Sequence, residues 1–180
     1  NVCQLVLGGI DAANTIASHV DIALLSVTGS TLAGAALSKI VNERFGKILL
    51  ELGGNNAMIV TPSADIELAT RAIVFSAAGT AGQRCTTLRR LIVHESIFEK
   101  LMEKVKKAYA SLKIGNPLNS DTLIGPLIES NSSQAMELAI DNLSNNGQVV
   151  VGGERMFDAV YPDAYYRMPA IIKMESHIID

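Results

Sequence analysis

The sequence predicts an α/β fold built on parallel sheets, and three observations carry that reading. Short apolar runs closed by glycines alternate with helical stretches over the first fifty residues. The alternation resumes after Gly53-Gly54, a pair that marks the best candidate domain boundary. One long stretch, Ser96 to Leu112, places Ile97, Leu101, Val105 and Ala108 at helical spacing while Lys100, Lys104 and Lys107 lie off that stripe.

Val2 to Leu7 is a short apolar run stopped by Gly8-Gly9, which predicts a buried strand, and Ala12 to Ser18 predicts a short helix. Asp21 to Val27 reads as a second strand, ending at Thr28-Gly29-Ser30. Leu32 to Phe45 is a helix with Arg44 in its last turn and Gly46 as its expected C-cap. Lys47 to Leu52 is a buried-strand pattern. Asn56 to Val60 is the next strand, and Asp65 is placed to cap a helix from Ile66 to Ala78. That helix runs into the loop Gly79-Thr80-Ala81-Gly82. Leu88 to His94 is a strand before the amphipathic helix. Gly115-Asn116-Pro117 and Gly125-Pro126 bracket a loop, Ser133 to Ser144 is a helix, and Gln148 to Val151 is a strand closed by Gly152-Gly153.

Composition narrows the classes. The chain has 180 residues, 48% hydrophobic and 18% charged, with a formal net charge of −3, an ordinary globular balance. Slight acidity gives no reason to expect nucleic acid or a membrane surface as partner. The apolar stretches fall short of the roughly 20 residues that span a bilayer. Cys3 and Cys85 cannot form a disulfide framework, which favours a reducing compartment. His19, His94 and His177 stand alone, so no metal-ligand spacing arises. The start, Asn1-Val2-Cys3, has no basic region, cleavage site or Met, and reads as the interior of something longer.

Three features carry chemistry. Cys85 follows a glycine-containing turn, with Arg84 beside it to favour the thiolate that attacks a carbonyl carbon; the alternative is a small buried hydrophobe. Glu51 interrupts the apolar run 48–52 at a strand end, where burial would push its carboxyl up toward a general base; the alternative is a solvated residue at the strand terminus. Thr28-Gly29-Ser30-Thr31 is a strand-to-helix turn whose N–H groups and dipole favour phosphate, although Ser30 or Thr28 serves equally as an N-cap. The GxGxxG fingerprint is absent.

The run Leu50-Glu51-Leu52-Gly53-Gly54-Asn55-Asn56 followed by Gly82-Gln83-Arg84-Cys85 closely resembles the two signatures of the aldehyde dehydrogenase superfamily, and Glu51 and Cys85 stand at its 34-residue spacing. Thr28 to Thr31 resembles that family's cofactor turn, and Gly115-Asn116-Pro117 and Gly125-Pro126-Leu127 are similar to its downstream landmarks. Glu43 to Gly46, Gly53 to Ala57 and Gly79 to Thr87 look most like the antiquitin branch, the α-aminoadipic semialdehyde dehydrogenases; many other branches carry Lys in place of Asn55.

The resemblance implies Rossmann-like parallel sheets, with 1–53 the end of an NAD(P)-binding domain and 54–180 the start of a catalytic domain. It implies NAD as cofactor, with NADP left open, and an aldehyde oxidised to its acid through a thiohemiacetal and a thioester on Cys85. Glu51 would activate the hydrolytic water across the domain interface, and the Cys85 N–H would supply part of an oxyanion hole. Gly29, Ser30, Thr31, Gly34 and Leu52 would border the cofactor, and Arg84 would pair with a substrate carboxylate. No metal is implied; a small-molecule aldehyde, a homodimer or homotetramer and a cytoplasmic location are.

The chain departs from the family at Val27, where Phe is usual, and at Ser132, near the place of a ribose-contacting Gln. The family's oxyanion Asn, its adenine-ribose Lys and its Glu-Phe motif would lie outside these residues, so the segment alone is expected to be inactive. The competing readings are a CoA-acylating member, against which Glu51 argues, and a non-catalytic member, against which the retention of both Glu51 and Cys85 argues.

Overall fold

The computed structural model describes residues 2–174, so Asn1 and His177 lie outside the described residues. The chain divides into two units, Asn1–Gly54 and Asn55–Asp180. No helix among the described residues is long and apolar enough to cross a membrane.

The first unit contains α1 (Ile10–Ser18), β1 (Leu24–Gly29), α2 (Thr31–Glu43) and β2 (Lys47–Leu52). The two strands pair in parallel from Leu24 opposite Lys47 to Gly29 opposite Leu52. Parallel neighbours need a crossover, and α2 supplies it. Its first turn is capped by the Ser30 side chain, which accepts from the Ala33 N–H at 3.1 Å. Its last turn closes as a Schellman motif: Phe45 N–H donates to Asn42 O and Gly46 N–H to Val41 O, both at 3.0 Å.

The second unit opens with β3 (Asn56–Val60), α3 (Ile66–Ala78), a 3₁₀ turn (Gly79–Gly82) and β4 (Leu88–Val93). Strands β3 and β4 are parallel, with a bulge between Asn56 and Ala57. Asp65 caps α3, accepting from Glu67 N–H at 2.9 Å and Leu68 N–H at 3.1 Å. Next comes α4 (Glu95–Ala110), whose stripe packs with Val60 and Ile73 into a core of Leu101, Val105 and Tyr109. The stripe is broader than four residues, because Met102 and Tyr109 are buried as well. The rest is α5 (Ser130–Ser144), β5 (Gly147–Val151), β6 (Arg155–Met156), β7 (Tyr166–Arg167) and β8 (Ile171–Met174). Here the pairing is antiparallel, β5 with β8 and β6 with β7. Arg167, 9% exposed, ties this region together by donating to Ser133 Oγ, Gly153 O and Glu137 Oε2.

The α/β fold with parallel pairs is as the sequence predicts, and several details differ. Val2 to Gly9 forms no strand and is exposed; a strand needs a ladder partner, and among the described residues none pairs with this run. The strand expected from Asp21 begins at Leu24, and the helix expected from Ala12 begins at Ile10. The helix expected to reach Phe45 stops at Glu43. Phe45 takes the left-handed position (φ 57°), and Gly46 sits one residue past it because a Cβ there would crowd Arg44 and Val41. Strand β2 is not a buried strand: Leu49 and Leu50 are 47% and 37% exposed. The strand expected to reach His94 stops at Val93, and His94 instead caps α4 through Nδ1, which accepts from Ser96 N–H. Helix α5 starts at Ser130, three residues before the expected Ser133.

Candidate active site

In the first unit, the parallel register sets Thr28 opposite Glu51 and Gly29 opposite Leu52. The turn after β1 and the end of β2 therefore share the C-terminal edge of the strand pair, the edge at which parallel sheets receive ligands. Glu51 is exposed there, the solvated strand-terminus alternative of the two the sequence left open. With its neighbours Leu49 and Leu50 exposed too, the apolar sequence around it supplies no apolar enclosure for the carboxylate.

Ser30 is the N-cap of α2, and Gly34 N–H bonds to Ser30 O at 2.9 Å. The Thr31 and Leu32 N–H groups have no intrahelical acceptor by helix geometry, which leaves donors and the positive dipole end at the turn. Gly34 is buried against Leu52: a Cβ on Gly34 would stand 2.7 and 2.8 Å from the two Leu52 methyls. Close approach of α2 to β2 thus accounts for this glycine by packing, and it brings the helix start down onto the strand ends. A phosphate fits this arrangement chemically, since helix N-termini bind anions.

In the second unit, Cys85 follows a sharp reversal. Thr80 (φ 56°), Ala81 (φ 51°) and Gly82 (φ 70°) are successive left-handed residues, and only the last is a glycine. Such conformations cost of order 1–3 kcal/mol for an ordinary residue and persist where surroundings fix them. Several bonds do so. Gln83 Oε1 accepts from Ile128 N–H at 2.9 Å, tying the turn to the segment that follows Gly125-Pro126, and Arg89 Nη2 donates to Gly82 O at 3.0 Å. Thr87, 2% exposed, accepts through Oγ1 from Arg84 N–H at 3.0 Å, and its own N–H donates to Arg84 O at 3.1 Å. Asn56 Nδ2 donates to Cys85 O at 2.7 Å and to Thr87 O at 3.0 Å. The outcome is an exposed Cys85 on a heavily anchored turn.

Arg84 does not simply project outward. Its Nη2 donates to Phe75 O at 2.7 Å, its Cζ lies 4.8 Å from the Phe75 ring centroid, and its head rests against Gly79. Among the described residues its Nε is buried with no hydrogen-bond partner. The structure thus groups Thr28, Gly29, Glu51 and Leu52 in one unit and Arg84, Cys85, Asn56 and Thr87 in the other. Asn56, Gln83 and Thr87 lie within the family-like stretches of the sequence but were given no role there; for Asn56 the signals were its place in the first signature and in a polar pair following Gly53-Gly54.

One unit thus presents a cysteine on a turn, and the other ends a parallel strand pair in a glutamate beside a helix-capping serine. The chain belongs to the aldehyde dehydrogenase family, whose model matches residues 1–178. It is 44% identical over 170 residues to aldehyde dehydrogenase family 7 member B4 of Arabidopsis thaliana, covering 94% of this chain and 33% of that protein. It is 42% identical over 176 residues to the α-aminoadipic semialdehyde dehydrogenase of Mus musculus, covering 98% of this chain and 32% of that one. The chain thus spans about a third of the length of the curated relatives it matches. Among solved structures, a betaine aldehyde dehydrogenase from Staphylococcus aureus in complex with NAD+ superposes with a TM-score of 0.87 at 28% identity, over 93% of this chain and 34% of that one. An NADP-dependent enzyme of E. coli superposes with a TM-score of 0.84 at 30% identity, over 92% and 34%.

Proposed function

We propose that this chain is the portion of an NAD(P)-dependent aldehyde dehydrogenase that carries its nucleophile and its general base, and that the aldehyde is a semialdehyde of the α-aminoadipic type. The observation that carries the reading is the exposed Cys85 thiol on an anchored turn, in a chain of this family. Most free cysteines are buried and inert, and a buried thiol could not reach a substrate.

In this reading Cys85 Sγ, as thiolate, forms a C–S bond to the aldehyde carbon while the carbonyl pair moves onto oxygen. The Cys85 N–H stabilises that oxyanion. Gly29, Ser30, Thr31, Gly34 and Leu52 would hold a nicotinamide cofactor, which when bound would accept the hydride leaving this carbon, so that a thioester remains on Cys85. Glu51 takes a proton from water as the water oxygen attacks the thioester carbon. The C–S bond breaks, the carboxylic acid leaves and Cys85 is returned. Arg84 pairs with the carboxylate of the semialdehyde, in competition with its bond to Phe75 O. No metal takes part. Residues 1–53 serve the cofactor domain and 54–180 the catalytic domain, and the enzyme works as a cytoplasmic homodimer or homotetramer. The family 7 relatives support the semialdehyde, and relatives named with NAD+ and with NADP leave both nicotinamides in the proposal.

The test is NAD(P)H production by the complete gene product with α-aminoadipic semialdehyde, succinic semialdehyde and a simple aliphatic aldehyde. Preference for the first, abolished by Cys85→Ala, is expected. Equal use of all three would remove the semialdehyde assignment. No turnover of any would favour a non-catalytic member.

A further inference from the structure

We propose that Asn56, together with Thr87, is a positioning residue that orients the backbone of Cys85 so that its N–H meets the developing oxyanion; this rests on Cys85 being the nucleophile. A trans peptide points its N–H and C=O in opposite directions. The Arg84–Cys85 peptide has its carbonyl bound by the Thr87 N–H, at 3.1 Å, so the Cys85 N–H faces away from Thr87. On the other side of the nucleophile, the Cys85 carbonyl is bound by Asn56 Nδ2 at 2.7 Å, and the same amide nitrogen donates to Thr87 O at 3.0 Å. The peptide planes before and after Cys85 are therefore both fixed, and one carboxamide links them through Thr87.

The sheet places Asn56 for this task. Asn56 pairs with Leu88 but Ala57 pairs with Arg90, so Arg89 is the extra residue of a bulge. The register shift lies directly beside Asn56, and from that position its side chain reaches the nucleophile turn. A residue whose only task was to join β3 to β4 would not need its amide on the Cys85 carbonyl, outside the ladder.

The experiment separates oxyanion chemistry from thiol chemistry in the complete gene product. Hydrolysis of p-nitrophenyl acetate by Cys85 passes through a tetrahedral oxyanion. Alkylation by iodoacetamide displaces iodide at a saturated carbon and develops no oxyanion. Asn56→Leu, neutral and of similar size, is expected to lower kcat for both aldehyde oxidation and ester hydrolysis at least roughly ten-fold, up to the roughly 10²–10³ lost when an oxyanion donor is removed outright. KM and the alkylation rate across pH should stay within about two- to three-fold, because no charge is added near the thiol. Asn56→Ser, which keeps one short donor, is expected to show an intermediate loss of kcat with the same unchanged alkylation, and it decides the matter if Asn56→Leu does not fold. Parallel loss of alkylation and acyl transfer, or no loss of either, would overturn the positioning role. Full activity in Cys85→Ala would instead overturn the nucleophile reading.

Discussion

Thr28 and Glu51 stand directly opposite one another on adjacent parallel strands, and the turn that starts α2 leaves the sheet one residue later. The carboxylate and the helix N-terminus therefore share one edge of the sheet within a single unit. The register, set by the α2 crossover, gives the proposed base a fixed relation to the proposed cofactor turn.

If Glu51 activates the hydrolytic water, removing its charge should stop the second half of the reaction and spare the first. Glu51→Gln in the complete gene product is expected to give one equivalent of NAD(P)H per active site in rapid mixing. Steady turnover should then fall by about 10²–10⁴, the usual contribution of a general base. Loss of the burst along with turnover would move Glu51 to the activation of Cys85.

Arg84 has two employments to be told apart. A charge-assisted bond to a substrate carboxylate contributes roughly 1.5–3 kcal/mol, about ten- to a hundred-fold in affinity. Arg84→Ala should then raise KM for an acidic semialdehyde by that factor and leave a simple aldehyde nearly unchanged. The bond from Nη2 to Phe75 O and the stacking on the Phe75 ring predict otherwise if they are its only work: equal losses on both aldehydes and a lower Tm.

What was legible in the sequence was whatever local pattern and a cap determine together. Asp65 before a helical run and Gly79 after it gave α3 at both ends, and Lys47 to Leu52, between Gly46 and Gly53, and Asn56 to Val60, between Gly54 and Pro62, gave strands. Val2 to Leu7 has the same apolar pattern without a paired ladder, and pattern does not reveal a missing neighbour. The sequence left Glu51 open between burial and solvent for the same reason: strand composition does not tell how much of a two-stranded pair is covered. Strands β6 and β7 are two residues each and have no period to read. At the site, Cys85 was readable as chemistry, whereas the Asn56 amide reaches it through a bulge and a pairing that exist only once β3 and β4 meet.

The α2–β2 contact can be tested by coupling. Alanine is favoured over glycine inside a helix by roughly 1 kcal/mol. At position 34, however, the new methyl would push the Leu52 methyls, now 2.7 and 2.8 Å from where it would sit. Those methyls end a flexible side chain, so the two effects should nearly cancel, leaving Gly34→Ala within about 1 kcal/mol of the parent. In a Leu52→Ala background the clash is gone and the same substitution should stabilise by about 0.5–1 kcal/mol. Denaturant titration of the four proteins measures the difference. An identical effect in both backgrounds would show that Gly34 and Leu52 are energetically independent.

Tyr109 predicts an alkaline limit to stability. It is 2% exposed on the buried face of α4, and burial pushes its phenol from 10.0 up to about 12. The unfolded chain releases this proton near the ordinary tyrosine value while the folded chain holds it, so between those values rising pH favours unfolding. The contribution is fully present below about pH 10, the unfolded value, and is lost as pH climbs to about 12. At about 1.4 kcal/mol per unit, roughly 2–3 kcal/mol of stability disappears across that window. Tyr109→Phe keeps the ring and removes the proton, so its stability should fall less steeply over the same range. Urea unfolding of both proteins at pH 8, 10 and 11.5 reads this directly. Parallel alkaline limbs would mean that the phenolate finds solvent without unfolding the core.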